Sequence, residues 1–313
     1  VGTHALFSDD VEFQNLGLVI VDEQHRFGVA QRLALKNKGR DVHQLMMSAT
    51  PIPRTLAMSF FADLDVSVID ELPPGRTPIR TRLVNNVRRA EVEGFVLNIC
   101  RKGQQAYWVC PLIEESETLQ LQTATETLEQ LQTALPELNI GLVHGRMKAA
   151  EKAEVMAEFA AGRLNVLVAT TVIEVGVDVP NAALMVIEHA ERMGLAQLHQ
   201  LRGRVGRGAA ESVCVLLFAE PLSELAKARL KVIYEHTDGF EIARQDLNIR
   251  GPGEFLGARQ SGVPMLRFAN LEEDLHLLEQ AREIAPMLIE QNPEIVEAHL
   301  ARWLSSREGY LGV

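Results

Sequence analysis

The order of short apolar runs and longer stretches with helical spacing constrains the fold most strongly. Eight runs lack the polar alternation of a half-exposed strand, so they predict strands buried on both faces. These runs are 16–21, 44–47, 66–69, 106–113, 140–143, 165–169, 184–187 and 213–218. Between them, stretches 88–101, 124–135 and 148–160 predict amphipathic helices. Strands that alternate with helices imply right-handed crossovers, and therefore an α/β fold with a parallel sheet.

A Pro- and Gly-rich segment, 73–78, interrupts this order and predicts a linker. Only three predicted strands precede it, too few for a doubly wound sheet of ordinary size, so region 1–75 is expected to be an incomplete lobe. Region 76–220 is expected to be a complete lobe. Region 221–268 predicts helix followed by a Gly-rich loop, and region 269–313 predicts a helical tail.

Several classes of protein are excluded by what the sequence lacks. No apolar run approaches the roughly 18 residues that a membrane helix needs. The N-terminus begins with Val and has no signal-peptide pattern, so the chain is expected to be a cut piece of a cytoplasmic protein. Its three cysteines are odd in number and form no CxxC pair, so neither a disulfide framework nor a zinc site is expected.

An acidic pair follows the first predicted strand, in the tetrapeptide Asp22-Glu23-Gln24-His25. Nucleotide-hydrolysing motors place two such carboxylates at the end of a strand, one to hold Mg²⁺ and one to orient the attacking water. Open α/β sheets bind ligands at this end of their strands. The tetrapeptide alone is equally compatible with a solvated loop.

Small hydroxyl residues follow two further predicted strands. Ser48 and Thr50 come after 44–47, and Thr170 and Thr171 come after 165–169. Residues of this type also cap helices, so Ser48 and Thr50 could cap a helix that starts near Arg54. The structural and functional interpretations are compatible with each other.

The segment Gln200–Arg207 is the most specific functional signal. It reads Gln-Leu-Arg-Gly-Arg-Val-Gly-Arg, and Arg204 and Arg207 are three residues apart. On a helix or in a tight turn, this spacing lets both guanidiniums point the same way. Two such cations suit the charge that develops on a transferred γ-phosphoryl group. The interleaved glycines make a poor helix and allow close approach to a phosphate.

Four motifs, DEQH, SAT, TTVIEVGVDVP and QLRGRVGR, resemble in order and spacing motifs II, III, V and VI of superfamily 2 helicases and translocases. The segments VGTHAL, DEQHRFGV and DLNIRGPGEFLGARQSG narrow the resemblance to the RecG family of bacterial helicases for branched DNA. The resemblance covers essentially the whole chain. It implies an α/β fold of RecA-like parallel-sheet lobes, the first incomplete and the second complete, followed by a helical hairpin with its loop and C-terminal helices.

The resemblance also implies roles for individual residues. Asp22 would hold Mg²⁺ with ATP, Glu23 would orient the attacking water, and Arg204 and Arg207 would reach the γ-phosphate. Contacts at the nucleotide cleft are implied for Gln24, His25, Gly176, Asp178 and Gln200. Coupling to DNA and translocation is implied for Ser48, Thr50, Thr170, Thr171, Arg250, Arg259 and Gln260. By the same resemblance the helical hairpin would lie at about 221–244, and the last three residues belong to the loop that follows it.

The sequence departs from the family pattern at one essential part. It contains no Gly-Lys dipeptide, so the GxxxxGK[ST] phosphate cradle is missing, as are the adenine-contacting segments and the wedge domain. Because phosphoryl transfer depends on positioning and electrostatics, the chain alone is not expected to hydrolyse ATP. Two alternatives stay open: a translocase like the transcription-repair coupling factor, and a catalytically silent DNA-binding fragment.

The net charge of −11 argues at first against nucleic acid, which is bound by Lys and Arg. The acidity is concentrated in the tail, however, whereas 76–89 and 192–208 are rich in arginine. Any one of these arginines could instead pair with a helix glutamate. The expected partners are branched duplex DNA and single-strand-binding protein. A monomer that is associated with the nucleoid and not with a membrane is expected.

Overall fold

The computed structural model divides the chain into two compact units, one of residues 1–66 and 256–313 and the other of residues 67–255. The residues described are 1–8, 10–23, 35, 38–39, 42–48, 65, 67–69, 71, 78–111, 117–170, 179–208, 211–250 and 274–304. Within these ranges, no helix is both long enough and apolar enough to cross a membrane. The domain boundaries at 75, 220 and 268 stay predictions.

Eight strands lie within the described residues. They are β1 (Leu18–Val21), β2 (His43–Met46), β3 (Arg80–Asn85), β4 (Gln105–Val109), β5 (Ile140–Val143), β6 (Val166–Ala169), β7 (Ala182–Ile187) and β8 (Val213–Phe218). The first two pair with each other, and the other six form one sheet in the order β3-β8-β7-β4-β6-β5. Every pair in both sheets is parallel, as predicted.

The α-helices of the described residues connect these strands and then continue beyond them. They are α1 (Arg89–Arg101), α2 (Glu117–Ala134), α3 (Ala149–Ala160), α4 (Leu195–Arg202), α5 (Glu224–Glu235), α6 (Gly239–Arg250), α7 (Leu275–Gln291) and α8 (Pro293–Leu304). The three predicted crossover helices are confirmed, although α2 begins earlier in the sequence than expected. The predicted C-terminal helices are confirmed as α7 and α8.

The six-stranded sheet is buried on both faces because its strands carry apolar side chains at consecutive positions. Along β4, Tyr107 and Val109 face a core that includes residues of α3, α4, α5 and α6. Ala106 and Trp108 face a second core with residues of α1 and α2. Full burial of a large side chain such as Trp108 stabilises the fold by about 1.5–3 kcal/mol.

One strand of this sheet was not predicted from the sequence. β3 lies at the edge, where it pairs with β8, and its residues alternate between more and less exposed positions. The sequence Arg-Thr-Arg-Leu-Val-Asn therefore lacks the continuous apolar run that marks the central strands. The arginines at its exposed positions led to its interpretation as a basic segment.

The predicted strand at 66–69 is wrong. Residues 67–69 are irregular, and β1 and β2 alone form the first sheet within the described residues. Val68 and Ile69 are exposed, so the apolar run has no core to pack against. A short apolar run without a partner strand leaves its backbone groups unpaired and does not form a sheet.

The helical hairpin is confirmed and runs further than predicted, over α5 and α6 from Glu224 to Arg250. Ser223 caps α5 by accepting a hydrogen bond from the Ala226 N–H at 3.2 Å. The prediction that Arg250 lies in the following loop is wrong, because Arg250 is the last residue of α6. Gly251, which directly follows, is typical of the position after a helix C-terminus.

Candidate functional site

The acidic pair stands at the end of β1, as the sequence predicted. β1 buries Val19 and Val21 and then leaves the strand conformation at Asp22. Glu23 has a left-handed backbone with φ 51°, which is uncommon for a residue with a side chain. Asp22 Oδ1 accepts a hydrogen bond from the Glu23 N–H at 2.8 Å and so stabilises this turn. Both carboxylates are therefore fixed close to the strand end.

Ser48 lies at the same edge of the small sheet. The register pairs Val21 with Met46, and the Met47 N–H donates to the Val21 carbonyl at 2.8 Å. Ser48 therefore follows β2 just where Asp22 and Glu23 follow β1. These residues therefore follow two neighbouring strands at one edge of the small sheet.

The arginine motif forms a turn at the end of α4. The helix packs through Leu198 and Leu201 and ends at Arg202, and the Arg204 N–H then donates to the Leu201 carbonyl at 3.0 Å. Gly206 has φ 79°, a conformation that glycine adopts without strain. Of the helix and the turn that the sequence allowed for Arg204 and Arg207, the structure has the turn. We call residues 203–207 the arginine turn.

The side chains of this motif differ in exposure. Arg207 is exposed, whereas Arg204 and Gln200 are half-buried. Directly after the turn, Gly208 packs so closely on the carbonyl oxygen of Pro180 that a Cβ would overlap with it. The end of motif V and the end of motif VI are therefore held together by a backbone contact that only glycine permits.

The six-stranded sheet has a carboxyl edge, at which the strands end, and an amino edge, at which they begin. Thr170 follows β6 at the carboxyl edge, and the Thr170 N–H donates to the Val143 carbonyl of β5 at 3.2 Å. Its side chain is 3% exposed, and Oγ1 has no hydrogen-bond partner within the described residues. A buried hydroxyl without a partner is costly unless a ligand or water supplies one.

His144 follows β5 beside Thr170, and its Nδ1 is likewise buried without a partner in the described part of the chain. Burial, together with the positive charge of Lys152, lowers the pKa of His144. The ring is therefore neutral at pH 7 and can serve as a hydrogen-bonding group. The sequence analysis did not single out His144, although a polar residue after the apolar run 140–143 is the same signal that identified Asp22.

Basic residues surround this position. Arg146 and Lys148 are exposed between β5 and α3, and Lys152 Nζ donates to the Gly145 carbonyl at 2.8 Å. The Glu151 side chain accepts from the Lys148 N–H at 3.0 Å and caps the first turn of α3. We call the set His144, Arg146, Lys152 and Thr170 the edge cluster. Its two orphan polar groups, two cations and the adjacent helix N-terminus suit a phosphate.

The arginine-rich segments contribute less free positive charge than their composition indicated. Arg88 and Arg89 form ion pairs with Glu91 and Glu93, and Arg80 pairs with Glu211. Arg82 stacks over the Phe95 ring at 5.3 Å. The alternative that individual arginines pair with helix glutamates is confirmed for Arg88 and Arg89, whereas the partner of Arg80 lies outside the helices. Arg202 is also removed from the basic surface, because it is buried.

Eight predicted site residues lie outside the described residues. They are Gln24, His25, Thr50, Thr171, Gly176, Asp178, Arg259 and Gln260. For Arg250 the backbone alone is described. The structure brings Asp22, Glu23 and Ser48 to one edge of the small sheet, and it places Thr170 at the carboxyl edge of the large one.

Comparison with known proteins identifies two family models in the chain. Residues 91–209 match the helicase conserved C-terminal domain, and residues 236–304 match the model of ATP-dependent DNA helicase RecG, domain 3, C-terminal. The ATP-dependent DNA helicases RecG of Acidithiobacillus ferridurans and of Escherichia coli K12 are both 58% identical over 310 and 315 residues, or 99% of this chain. The chain belongs to the RecG family.

The chain spans about half the length of these RecG relatives, with 45% of the first and 46% of the second covered. A solved structure of RecG bound to a three-way DNA junction is 52% identical, with a TM-score of 0.68 over 89% of this chain and 36% of that one. A solved structure of the helicase MrfA bound to DNA is 18% identical, with a TM-score of 0.52, and the match covers 72% of this chain and 34% of the MrfA chain. At this identity the similarity shows the fold alone. The parallel α/β fold of RecA-like type is confirmed.

Proposed function

We propose that this chain is the C-terminal motor part of an ATP-dependent helicase that translocates on duplex DNA and remodels branched DNA in recombination and repair. The observation that carries the proposal is the convergence of phosphate-binding chemistry on the carboxyl edges of both parallel sheets, where α/β folds bind ligands. Membership of the RecG family and the similarity to a RecG bound to a DNA junction support it.

Residues of each unit have chemistry that suits a bound nucleotide. Asp22 is suited to hold Mg²⁺, since this ion prefers a few carboxylate oxygens together with water and substrate phosphates. Within the described residues, no group of three or more His, Cys, Asp or Glu side chains could hold a metal ion. Glu23 would orient the attacking water, and Arg204 and Arg207 would stabilise charge on the γ-phosphate.

Further residues would complete this arrangement. Gln24, His25, Gly176, Asp178 and Gln200 would line the nucleotide cleft. ATP and Mg²⁺ would also need a phosphate-binding loop, which this sequence does not contain. The proposal therefore includes a catalytic role for the chain only as part of a polypeptide that supplies this loop.

The edge cluster would bind phosphates of the DNA backbone. Thr170 and His144 present unsatisfied polar atoms, and Arg146 adds an exposed cation beside them. Phosphate contacts of this type position a protein on DNA without reading its sequence, as a translocase requires. Ser48, Thr50 and Thr171 would contribute to the same coupling of nucleotide and DNA.

The hairpin α5–α6 and the following loop would convert closure of the cleft into movement on duplex DNA, with Arg259 and Gln260 in the loop and Arg250 at its start. The proposed boundaries are 1–75 for the first lobe, 76–220 for the second, 221–268 for the translocation motif and 269–313 for the tail. A monomeric state, single-strand-binding protein as a partner, and a position at the nucleoid complete the proposal.

A hybrid helicase tests the proposal. In it, this chain replaces the 315-residue region that it matches in Escherichia coli RecG. The hybrid should show DNA-stimulated ATPase, and Glu23→Gln or Arg207→Ala should each lower this activity by roughly 10³-fold with little loss of DNA binding. Glu12→Gln and Arg163→Ala, at exposed positions outside the proposed site, are the matched controls. Near-normal ATPase in both site variants would overturn the assignment.

The chain alone provides a second test. The missing phosphate cradle favours a nucleotide-silent, DNA-binding state for the isolated chain. Calorimetry with Mg·ATP should therefore detect no binding in the micromolar range. Micromolar binding would show that the nucleotide site is complete without the cradle.

A further inference from the structure

The outer side of β3 is an open edge of the six-stranded sheet among the described residues. β3 pairs with β8 and with no other described strand. The Arg80 N–H donates to the Ser212 carbonyl at 3.0 Å, so alternate residues from Arg80 onwards direct their peptide groups towards β8. The peptide groups of Thr81 and Leu83 therefore face outwards, and no hydrogen bond to them is found within the described part of the chain.

This edge is regular enough to accept a further strand. Unpaired N–H and C=O groups along an edge are a template for strand addition, and proteins often block them with Pro or a bulge. β3 contains no Pro, and its register with β8 is continuous over six residues. Its exposed side chains are Arg80 and Arg82. Pairing of two β3 strands would bring these cations together, which is destabilising, so a second copy of the chain is a poor occupant.

A groove runs along the open edge of β3. Its volume is about 1220 Å³, above the roughly 300–1,000 Å³ of an ordinary small-molecule pocket, and its lining includes every residue from 78 to 84. One wall is α1, with Val92 and Phe95, and the other is the end of α5, with Tyr234. Tyr234 is 55% exposed and offers an aromatic surface. A long groove beside unpaired backbone groups suits an extended peptide.

The charge of the groove is positive at the middle of the strand. The Arg82 guanidinium lies 5.3 Å from the centre of the Phe95 ring, and no carboxylate among the described residues pairs with it. The carboxylates of the groove have cations of their own. Glu91 pairs with Arg88, and Glu235 lies 4.0 Å from Lys231. Arg82 is therefore available to a carboxylate that enters the groove, and its position on Phe95 keeps it directed along the α1 wall.

We propose that the open edge of β3 binds an extended acidic peptide of a partner protein, which adds to the sheet as a further strand. Its backbone bonds to the outward peptide groups of Thr81 and Leu83. Its side chains point alternately to the two walls, so that carboxylates meet Arg82 and apolar groups meet Tyr234. The charge that opposes a second copy of β3 thus favours this partner. The inference goes beyond the proposed function and does not depend on it.

The test measures, by fluorescence anisotropy, binding of a labelled peptide in which Val and Asp alternate. The full chain and the hybrid helicase should both bind it, and neither should bind a peptide in which Val and Lys alternate. Arg82→Glu reverses the central charge, so it should weaken binding by roughly tenfold. Arg163→Glu, at an exposed arginine outside the groove, is the matched control and should leave binding unchanged.

A second variant tests the backbone contribution. Leu83→Pro removes an outward N–H and leaves the hydrogen bonds between β3 and β8 in place, so it should also weaken binding by roughly tenfold. Leu83 packs against the core, so circular dichroism of the variant is measured first. Arg82 is exposed, and Arg82→Glu therefore decides the test even if the proline variant does not fold.

Residue-resolved hydrogen exchange separates strand addition from simple attraction of charges. The bound peptide should slow exchange of the Thr81 and Leu83 amides and leave those of Arg82 and Val84 unchanged, because the latter already face β8. Binding without this alternation, or equal binding of the Lys peptide, would overturn the inference. Binding to the chain that is lost in the hybrid helicase would also overturn it, because the other half of the RecG polypeptide would then be the occupant.

Discussion

The two edges of the six-stranded sheet contrast in how they satisfy their polar groups. At the amino edge, Gln105 Nε2 donates to the carbonyls of Phe159 at 2.6 Å and Leu164 at 2.7 Å, and Asn181 Nδ2 donates to the Gly103 carbonyl at 2.8 Å. The amide groups of Gln105 and Asn181 thus connect loops to strands through hydrogen bonds. This edge is a structural one.

The carboxyl edge is organised differently. Buried atoms that lack a hydrogen-bond partner among the described residues include His144 Nδ1, Thr170 Oγ1 and Arg89 Nη2, all at this edge, and a further such atom, Arg229 Nε, lies on α5. Glu188, which follows β7, does have partners in Arg89 and Trp108 Nε1. Unsatisfied polar atoms that concentrate on one edge indicate where a ligand supplies the missing bonds.

The amino edge should show the larger effect on stability. Gln105→Leu removes one hydrogen bond from each of the carbonyls of Phe159 and Leu164, so the free energy of unfolding should fall by about 1–3 kcal/mol. Chemical denaturation of the chain measures this loss. DNA affinity of the folded variant should be unchanged, and a specific loss of DNA binding would contradict the separation of the two edges.

The carboxyl edge should show the larger effect on DNA binding. Arg146→Met removes an exposed cation of the edge cluster, so affinity for duplex DNA should fall by roughly tenfold and the salt dependence should weaken by about one phosphate contact. Titrations of the hybrid helicase at several salt concentrations measure both. Arg163→Met, at an exposed arginine between α3 and β6, is the matched control and should change neither.

Thr170 offers a substitution with opposite effects on stability and binding. Thr170→Val replaces a buried hydroxyl without a described partner by a methyl group of similar size, which should stabilise the fold by about 1 kcal/mol. DNA affinity should fall, because the group offered to a phosphate is lost. Thermal unfolding and DNA titration of the same variant decide this, and a destabilised variant would show that Thr170 has a structural partner instead.

The reactivity of two cysteines tests whether both edges of the six-stranded sheet are closed to solvent. Cys100 packs near the amino edge and Cys110 follows β4 at the carboxyl edge, and both are buried. Burial raises the pKa of Cys100 to about 11 and that of Cys110 to about 12. Because the thiolate is the reactive form, neither should be alkylated in the native state at pH 8, and Cys100 should react first as the pH rises. Rapid alkylation of Cys110 at pH 8, detected by mass spectrometry, would contradict this prediction and would show that solvent reaches the carboxyl edge at β4.

Much of the fold was predictable because the strands of a parallel sheet that is covered on both faces appear in the sequence as continuous apolar runs. The runs 140–143 and 213–218 have the bounds of β5 and β8, since both faces of these strands are apolar. The edge strand β3 was missed because two of its six residues are exposed arginines and none is fully buried. The strand predicted at 66–69 was wrong, because an apolar run forms a strand only where a partner strand exists.

The candidate site was predictable where its residues directly follow strands. Asp22, Ser48 and Thr170 could be placed in this way, and His144 could have been. The burial of Arg202 could not be predicted, since its partners are backbone carbonyls more than thirty positions along the chain, and every residue type has a carbonyl. The composition of its segment indicated instead a surface cation.

Hydrogen exchange of the hybrid helicase, with and without a three-way DNA junction, tests the assignment of the two edges most directly. The account predicts that DNA slows exchange at the ends of β5 and β6, around residues 143–150 and 170. It predicts no change at the amino edge, around residues 103–105 and 181. Protection at the amino edge with none at 143–150 would contradict it.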